Sequence, residues 1–171
     1  MKTAYILIFL FVSTYSTAQV AIEKSTLTNS SVSLEFGVGN KGIVLPWVTS
    51  AAAVSGAVDG TFIYDLTDNK VKYRKAGSWV DLSVDNTGTA VSSEQDALTE
   101  DVNAKSIIGL NTADTTPGIL VLSDTDKAMI LPKVSSPHLN IINPTAGMMV
   151  YDTDNHLLAV FNGTVWTFWK P

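Results

Sequence analysis

"KGIVLPWVTS" (Lys41–Ser50) and "KAMILPKVSS" (Lys127–Ser136) are near-copies of one phrase: a lysine, an apolar run ending in Leu-Pro, then small hydroxylated residues. The match extends well beyond the prolines. "GTFIYDLTDNKVKYRKAGSWVDL" (Gly60–Leu82) aligns with "GMMVYDTDNHLLAVFNGTVWTFW" (Gly147–Trp169). Gly60 falls on Gly147, Tyr64 on Tyr151, Asp65 on Asp152 and Trp79 on Trp166, all at one offset. Glycine, Tyr-Asp and tryptophan shared at fixed spacing mark an internal duplication.

Each copy reads as β-structure. "VSLEF" (Val32–Phe36), a glycine-rich turn and "GIVLP" give strand, turn, strand, and "GILVL" (Gly118–Leu122), "SDTDK" and "AMILP" repeat that order. A second hairpin follows in each copy: "TFIYD" and "KVKYRK" around "LTDN", then "MMVYD" and "HLLAVF" around "TDN", with Asp and Asn supplying the turns. Pro46 and Pro132 stand where a strand should stop, because proline cannot donate to a ladder. "SSPHLNIINPTAG" (Ser135–Gly147) has room for one helical turn, with Ser136 as N-cap and Pro137 first in the helix. The predicted fold is all-β: two tandem repeats of short antiparallel hairpins joined by a polar linker, with at most short helical turns.

The expected organisation is a signal peptide over 1–18, a loosely held polar start over 19–31, repeat one over 32–82, a linker over 83–117 and repeat two over 118–171. A short helix in the linker, around Ser93–Asn103, is suggested by a Ser-x-x-Asp box. The leader reading rests on a basic start, the apolar "AYILIFLFVS" (Ala4–Ser13) and small residues at Ser16 and Ala18, which place cleavage before Gln19. The apolar run is too short to span a bilayer, which takes about 20 residues. Export, to the outer surface, the medium or the periplasm, is the expected localisation, with no transmembrane segment in the mature chain.

Without Lys2 the mature chain carries ten basic against sixteen acidic residues. That balance argues against nucleic acid as a partner, since phosphate binding needs clustered Lys and Arg. With no cysteine, neither a disulfide framework nor a thiolate metal site can form.

The repeat resembles one found in secreted proteins of the Bacteroidota and in the stems of phage tail-fibre-like proteins. The residues carrying the resemblance are Lys41, Gly42, Leu45, Pro46, Gly60, Tyr64, Asp65, Gly77 and Trp79 in copy one. In copy two they are Lys127, Leu131, Pro132, Gly147, Tyr151, Asp152, Thr153, Gly163 and Trp166. Ala128 and Leu66 depart from the pattern, at a glycine and a threonine position. The resemblance brings no enzymatic activity with it. It implies a β-rich structural or adhesive module, secreted or on the cell surface, and a homo-oligomer with a trimer as the favoured symmetry.

The remaining motifs add little chemistry. "SDTDK", "DLTDN" and "DTDN" cluster carboxylates, but none has both the glycine and the glutamate of a calcium loop, so they are read as turn formers. His138 and His156 are accompanied by no nucleophile-elbow or zinc-binding motif. No catalytic residue, metal or cofactor is therefore assigned. Pro46, Gly60, Tyr64, Trp79, Pro132, Gly147, Tyr151 and Trp166 are expected to anchor the two repeats, the tryptophans as equivalent core residues.

One contrast between the copies points to assembly. Lys70, Lys72 and Arg74 occupy the outer positions of the first hairpin, while Leu157, Ala159 and Phe161 occupy them in the second. The second hairpin is thus expected to be covered on both faces, with Leu157, Ala159 and Phe161 as a candidate interface with the first copy or another chain. The alternative function is a carbohydrate-binding module, with Trp47 and Trp169 offered to a surface glycan. A protein partner at the surface is the other candidate.

Overall fold

The computed structural model describes residues 19–170, apart from 94, 100, 102 and 103. The expected leader lies outside the described residues. Among those described, the chain is nearly all β, with one 3-10 turn (Ala51–Ala53) and one short helix, α1 (Pro137–Asn140).

The polar stretch over 19–31 is built into the fold. β1 (Val20–Ile22) lies parallel to β2 (Val32–Phe36), with Val20 opposite Leu34. The Gln19 side-chain amide donates to the carbonyls of Ser30 and Val32. Thr28 and Lys24 converge on the buried carboxylate of Glu35, the lysine at 2.6 Å. These bonds hold the Glu35 carboxyl down at about 2, the Lys24 ammonium first among them. Polar composition suggested a free segment; side-chain bonds to a neighbouring strand tie it down instead.

Copy one then runs β3 (Ile43–Val44), β4 (Trp47–Val48), β5 (Phe62–Asp65), β6 (Lys70–Lys75) and β7 (Ser78–Asp81), the last four forming one sheet in that order. Three strands follow: β8 (Ser106–Ile108), β9 (Leu120–Leu122) and β10 (Ala128–Ile130). Copy two closes the chain with β11 (Lys133–Val134), β12 (Met148–Asp152), β13 (Leu157–Phe161) and β14 (Trp166–Trp169), in the same spatial order as β4 to β7. Corresponding strands pair alike: Trp47 lies opposite Tyr64 and Lys133 opposite Tyr151, both in parallel pairs. The hairpins β5–β6 and β12–β13 are antiparallel, as the turn residues predict.

The strands before the prolines behave differently from expectation. β2 and β3 do not form a hairpin, nor do β9 and β10. β3 pairs with β12 of the second copy, and β10 pairs in parallel with β2 of the first. Past the proline the chain joins its own sheet, and the Pro46 and Pro132 carbonyls accept from the backbone N–H of Tyr64 and Tyr151, each at 2.9 Å. The Leu-Pro phrase therefore marks where the chain leaves the other copy's strands for its own. Proline suits that point because it has no N–H to leave unpaired while the partner changes.

The two copies consequently share a core. Leu45, Tyr64, Val71 and Leu82 of copy one pack with Ala146, Met149 and Val160 of copy two. A second cluster, Val134, Ile141, Met148, Val150, Ala159 and Phe161, lies wholly within copy two. The central strands β12 and β13 are buried on both faces, Met149 and Val160 against copy one and Met148, Val150, Ala159 and Phe161 in the second cluster.

The expected linker is also partly built in. Leu82 and Ser83 are buried, the Val84 N–H reaches the Thr167 hydroxyl, and the Asn162 amide donates to the Asp85 carbonyl. Gly163 has φ +102°, and a Cβ there would meet the Thr89 carbonyl at 2.2 Å, so this docking requires glycine. Of the helix expected over Ser93–Asn103, the described residues show only turns. Asp96 N–H bonds to the Ser92 carbonyl and Leu98 N–H to the Gln95 carbonyl, each closing a turn.

Candidate functional site

The repeated anchors divide into equivalent and inequivalent pairs. Gly60 and Gly147 both have positive φ, +91° and +79°, so each turn needs a residue without Cβ. At Gly60 the surrounding space is open, whereas a Cβ at Gly147 would press on the Tyr64 side chain at 3.0 Å. Tyr64 is fully buried, while Tyr151 is half-buried beside His156, 3.4 Å from its Nδ1. The same sequence position is a core tyrosine in one copy and a surface tyrosine in the other.

The tryptophans also part company. Trp166 packs on the second core cluster, 5.2 Å from the Phe161 ring centroid. Trp79 sits on the edge strand β7, joins neither cluster, and has the Arg74 guanidinium 5.5 Å over its ring. They are not equivalent core anchors. The second core exists only in copy two, because Ala159 and Phe161 stand where copy one has Lys72 and Arg74.

Ala159 and Phe161, of the three candidate interface residues Leu157, Ala159 and Phe161, are covered within the chain itself, as their apolar character requires. Ala159 is fully buried and Phe161 nearly so, in a cluster with Val134 of β11 and Ile141 of the connector, and Leu157 is half-buried at the strand start. Of the connector after β11, Ile141 joins this second cluster, while Ala146 joins the core shared with copy one. Ser136 does not cap α1 as expected; its φ is +42° and its hydroxyl donates to Asp154 at 2.7 Å instead. Ser50, by contrast, accepts from Ala53 N–H at the 3-10 turn.

The aromatics offered to a glycan are committed within the fold. Trp47 is half-buried, lies 6.2 Å from Tyr64, and donates its indole N–H to the Ala146 carbonyl at 2.8 Å. Trp169 is 39% exposed, but its N–H donates to Leu82 across the copies. It lines a cleft of about 290 Å³ together with Phe62, Tyr73, Val80, Asp81 and Leu158. A sugar needs several polar partners, and this wall offers the Asp81 carboxylate and the Tyr73 hydroxyl among apolar side chains.

The carboxylate clusters shape turns. Burial pushes the Asp65 carboxyl up, but bonds from Thr67, Ala51 and Lys72 outweigh it and hold the group below its usual range. Asp152 is balanced the same way, burial opposed by Asn155 and the Asp154 N–H. Lys72 is ringed by Asp65, Asp68 and Asp81 at 2.7–3.8 Å, which gives the charged face of copy one its structure. Among the described residues no group of three or more acidic or histidine side chains could hold a metal ion. His138 is exposed on α1, edge-on to Phe168 at 5.7 Å.

Sequence reasoning missed the strand β8 within the linker. "SII" (Ser106–Ile108) was the available signal, a short apolar run bounded by Gly109.

Residues 107–170 match the profile of a family described as a phage tail like trimerisation region. The match covers the second copy together with β8 and β9, and it supports the resemblance to tail-fibre proteins. No curated protein and no solved structure matches the chain. The class that the fold and the match support is a structural, oligomeric, fibre-like β-module. No helix among the described residues is long and apolar enough to cross a membrane.

Proposed function

We propose that this chain is an exported, non-enzymatic structural module that works as a homotrimer in a fibre-like assembly at or beyond the cell surface. The observation that carries the reading is the match of residues 107–170 to a tail-like trimerisation region. A second feature supports it. The leader-like residues 1–18 support export, with the mature chain beginning at Gln19.

An adhesive role, toward a protein or glycan, would be added by whatever the fibre presents. Trp47 and Trp169 are poorly placed to supply it, because both indole N–H groups are already bonded to the protein's own carbonyls. Sedimentation velocity on the chain from Gln19 onward tests the assembly reading. Three times the chain mass is expected; a single mass at the highest attainable concentration overturns it. Sequencing the N-terminus of protein from its native host tests export, and a start at Met1 overturns that part.

A further inference from the structure

β8 and β9 form a two-stranded parallel sheet that no other strand joins. Their register is Ser106 to Leu120, Ile107 to Val121 and Ile108 to Leu122. Paired residues share a face and successive ones alternate, so Ile108, Leu120 and Leu122 lie on one side and Ile107 and Val121 on the other. Both sides are apolar. Parallel strands with two apolar faces belong in an interior, and two strands alone are marginal in water. Here the four central side chains are only half-buried, Leu120 is 48% exposed, and the neighbouring Ile119 and Leu110 are 57% and 78% exposed.

The pair is nonetheless held in a defined shape. Lys105 donates to the carbonyls of Asp114 and Thr116, closing the connecting loop. At the far end Leu110 N–H donates to the Asp124 carboxylate at 3.0 Å. The element is an ordered apolar surface with free strand edges.

What should cover it is indicated by charge and by position. The chain is acidic overall, yet between Ile107 and Leu122 the only charged side chain is Asp114, so like-charge repulsion between copies is small here. The segment matching a trimerisation region begins at Ile107, within β8. Of the exposed leucine, isoleucine, phenylalanine and tryptophan side chains among the described residues, only Ile22 and Leu98 lie outside that segment. Leu139 and Ile142 are also exposed there, but they flank a connector already anchored by Ile141 to the second core.

We infer that β8 and β9 form the trimer seam, where the same strands of three copies close their apolar faces on one another. The inference rests on the trimeric reading above and adds the surface that makes it.

The absence of native cysteines allows a direct test on the chain from Gln19 onward. Leu120→Cys should give a disulfide-linked dimer band on a denaturing, non-reducing gel after mild oxidation at low protein concentration. Leu139→Cys, at a site 72% exposed, should not. Leu120→Asp, which gathers three carboxylates at the seam, should raise the concentration needed for trimer at least about a hundredfold, with its β-signal kept. If the parent is trimeric, Leu120→Cys stays uncross-linked and Leu120→Asp remains trimeric, the seam is elsewhere and the trimer survives. Cross-linking at Leu139→Cys alone moves the seam to the helix and overturns the inference. A parent that is monomeric throughout removes both readings together.

Discussion

The hydroxyl of Tyr64 donates to the backbone carbonyl of Asn162 at 2.6 Å, both groups buried, across 98 residues of chain. This bond links the hairpin of copy one to the last turn of copy two, and the Tyr64 ring packs in the core they share. Tyr64→Phe leaves a buried carbonyl without its donor, which typically costs about 1–3 kcal/mol. Tyr151→Phe, at the half-buried counterpart, should change the urea midpoint little. Equal effects from the two variants would mean that the copies are not joined through Tyr64.

The same contact sets an alkaline limit. Burial, with Asp68 adding to it, pushes the Tyr64 hydroxyl up to about 12. A phenol raised in the folded state contributes stability that is intact below its unfolded value, near 10, and lost as pH rises toward 12. Glu35, held at about 2, acts in the opposite sense: its contribution is intact above the unfolded glutamate value and lost as pH falls toward 2. Thermal melts should therefore weaken above about pH 10 and below about pH 4.5, and Tyr64→Phe should blunt the alkaline loss. An alkaline limb unchanged in that variant would assign it to other groups.

Trp166→Ala should destabilise far more than Trp79→Ala. The former removes a ring packed on Phe161 and the second core, where aromatic truncations cost about 3–5 kcal/mol. The latter loses an edge-strand ring outside both core clusters and its cation–π contact with Arg74, worth about 0.5–1 kcal/mol. Urea titrations of both variants decide this, and comparable losses would restore the equivalence implied by the repeat.

Limited chymotrypsin digestion should cut after Leu98, which is 74% exposed, before cutting either hairpin. The two fragments should then co-elute under native conditions, because the core is shared between them. Fragments that separate without denaturant would show the copies to be independent units.

Gly147→Ala should cost more than Gly60→Ala. Both residues have positive φ, which costs a residue with a Cβ about 1–3 kcal/mol, but only Gly147 also faces the Tyr64 ring. Equal midpoints for the two variants would remove the steric part of this account.

Local chemistry made the hairpins legible from sequence. Alternating apolar residues, Asp-Asn turns and positive-φ glycines specify β5–β6 and β12–β13 without help from elsewhere. The outer-face exchange of Lys72 for Ala159 likewise announced that the second hairpin is covered twice. What a repeat alignment could not show is partner choice. Two strands of equal apolar character can pair with each other or across the copies, and nothing in "VSLEF" or "GIVLP" distinguishes the two. The same alignment suggested equal roles for Trp79 and Trp166, although burial is set by neighbours that the copies do not share.

The parallel pairing of β2 with β10 joins Val32 to Ala128, and so fixes the order in which the molecule can be finished. Long-range pairing must close a large loop before it is rewarded, which makes it slow. A ribosome releases the first copy well before it makes the second, and export through a narrow channel would preserve that sequence. For that interval β3 lacks its partner strand β12, and β2 is paired on one edge only, with β1. The earliest part of the chain waits for the latest, so any delay in supplying the second copy leaves apolar edges open to strangers.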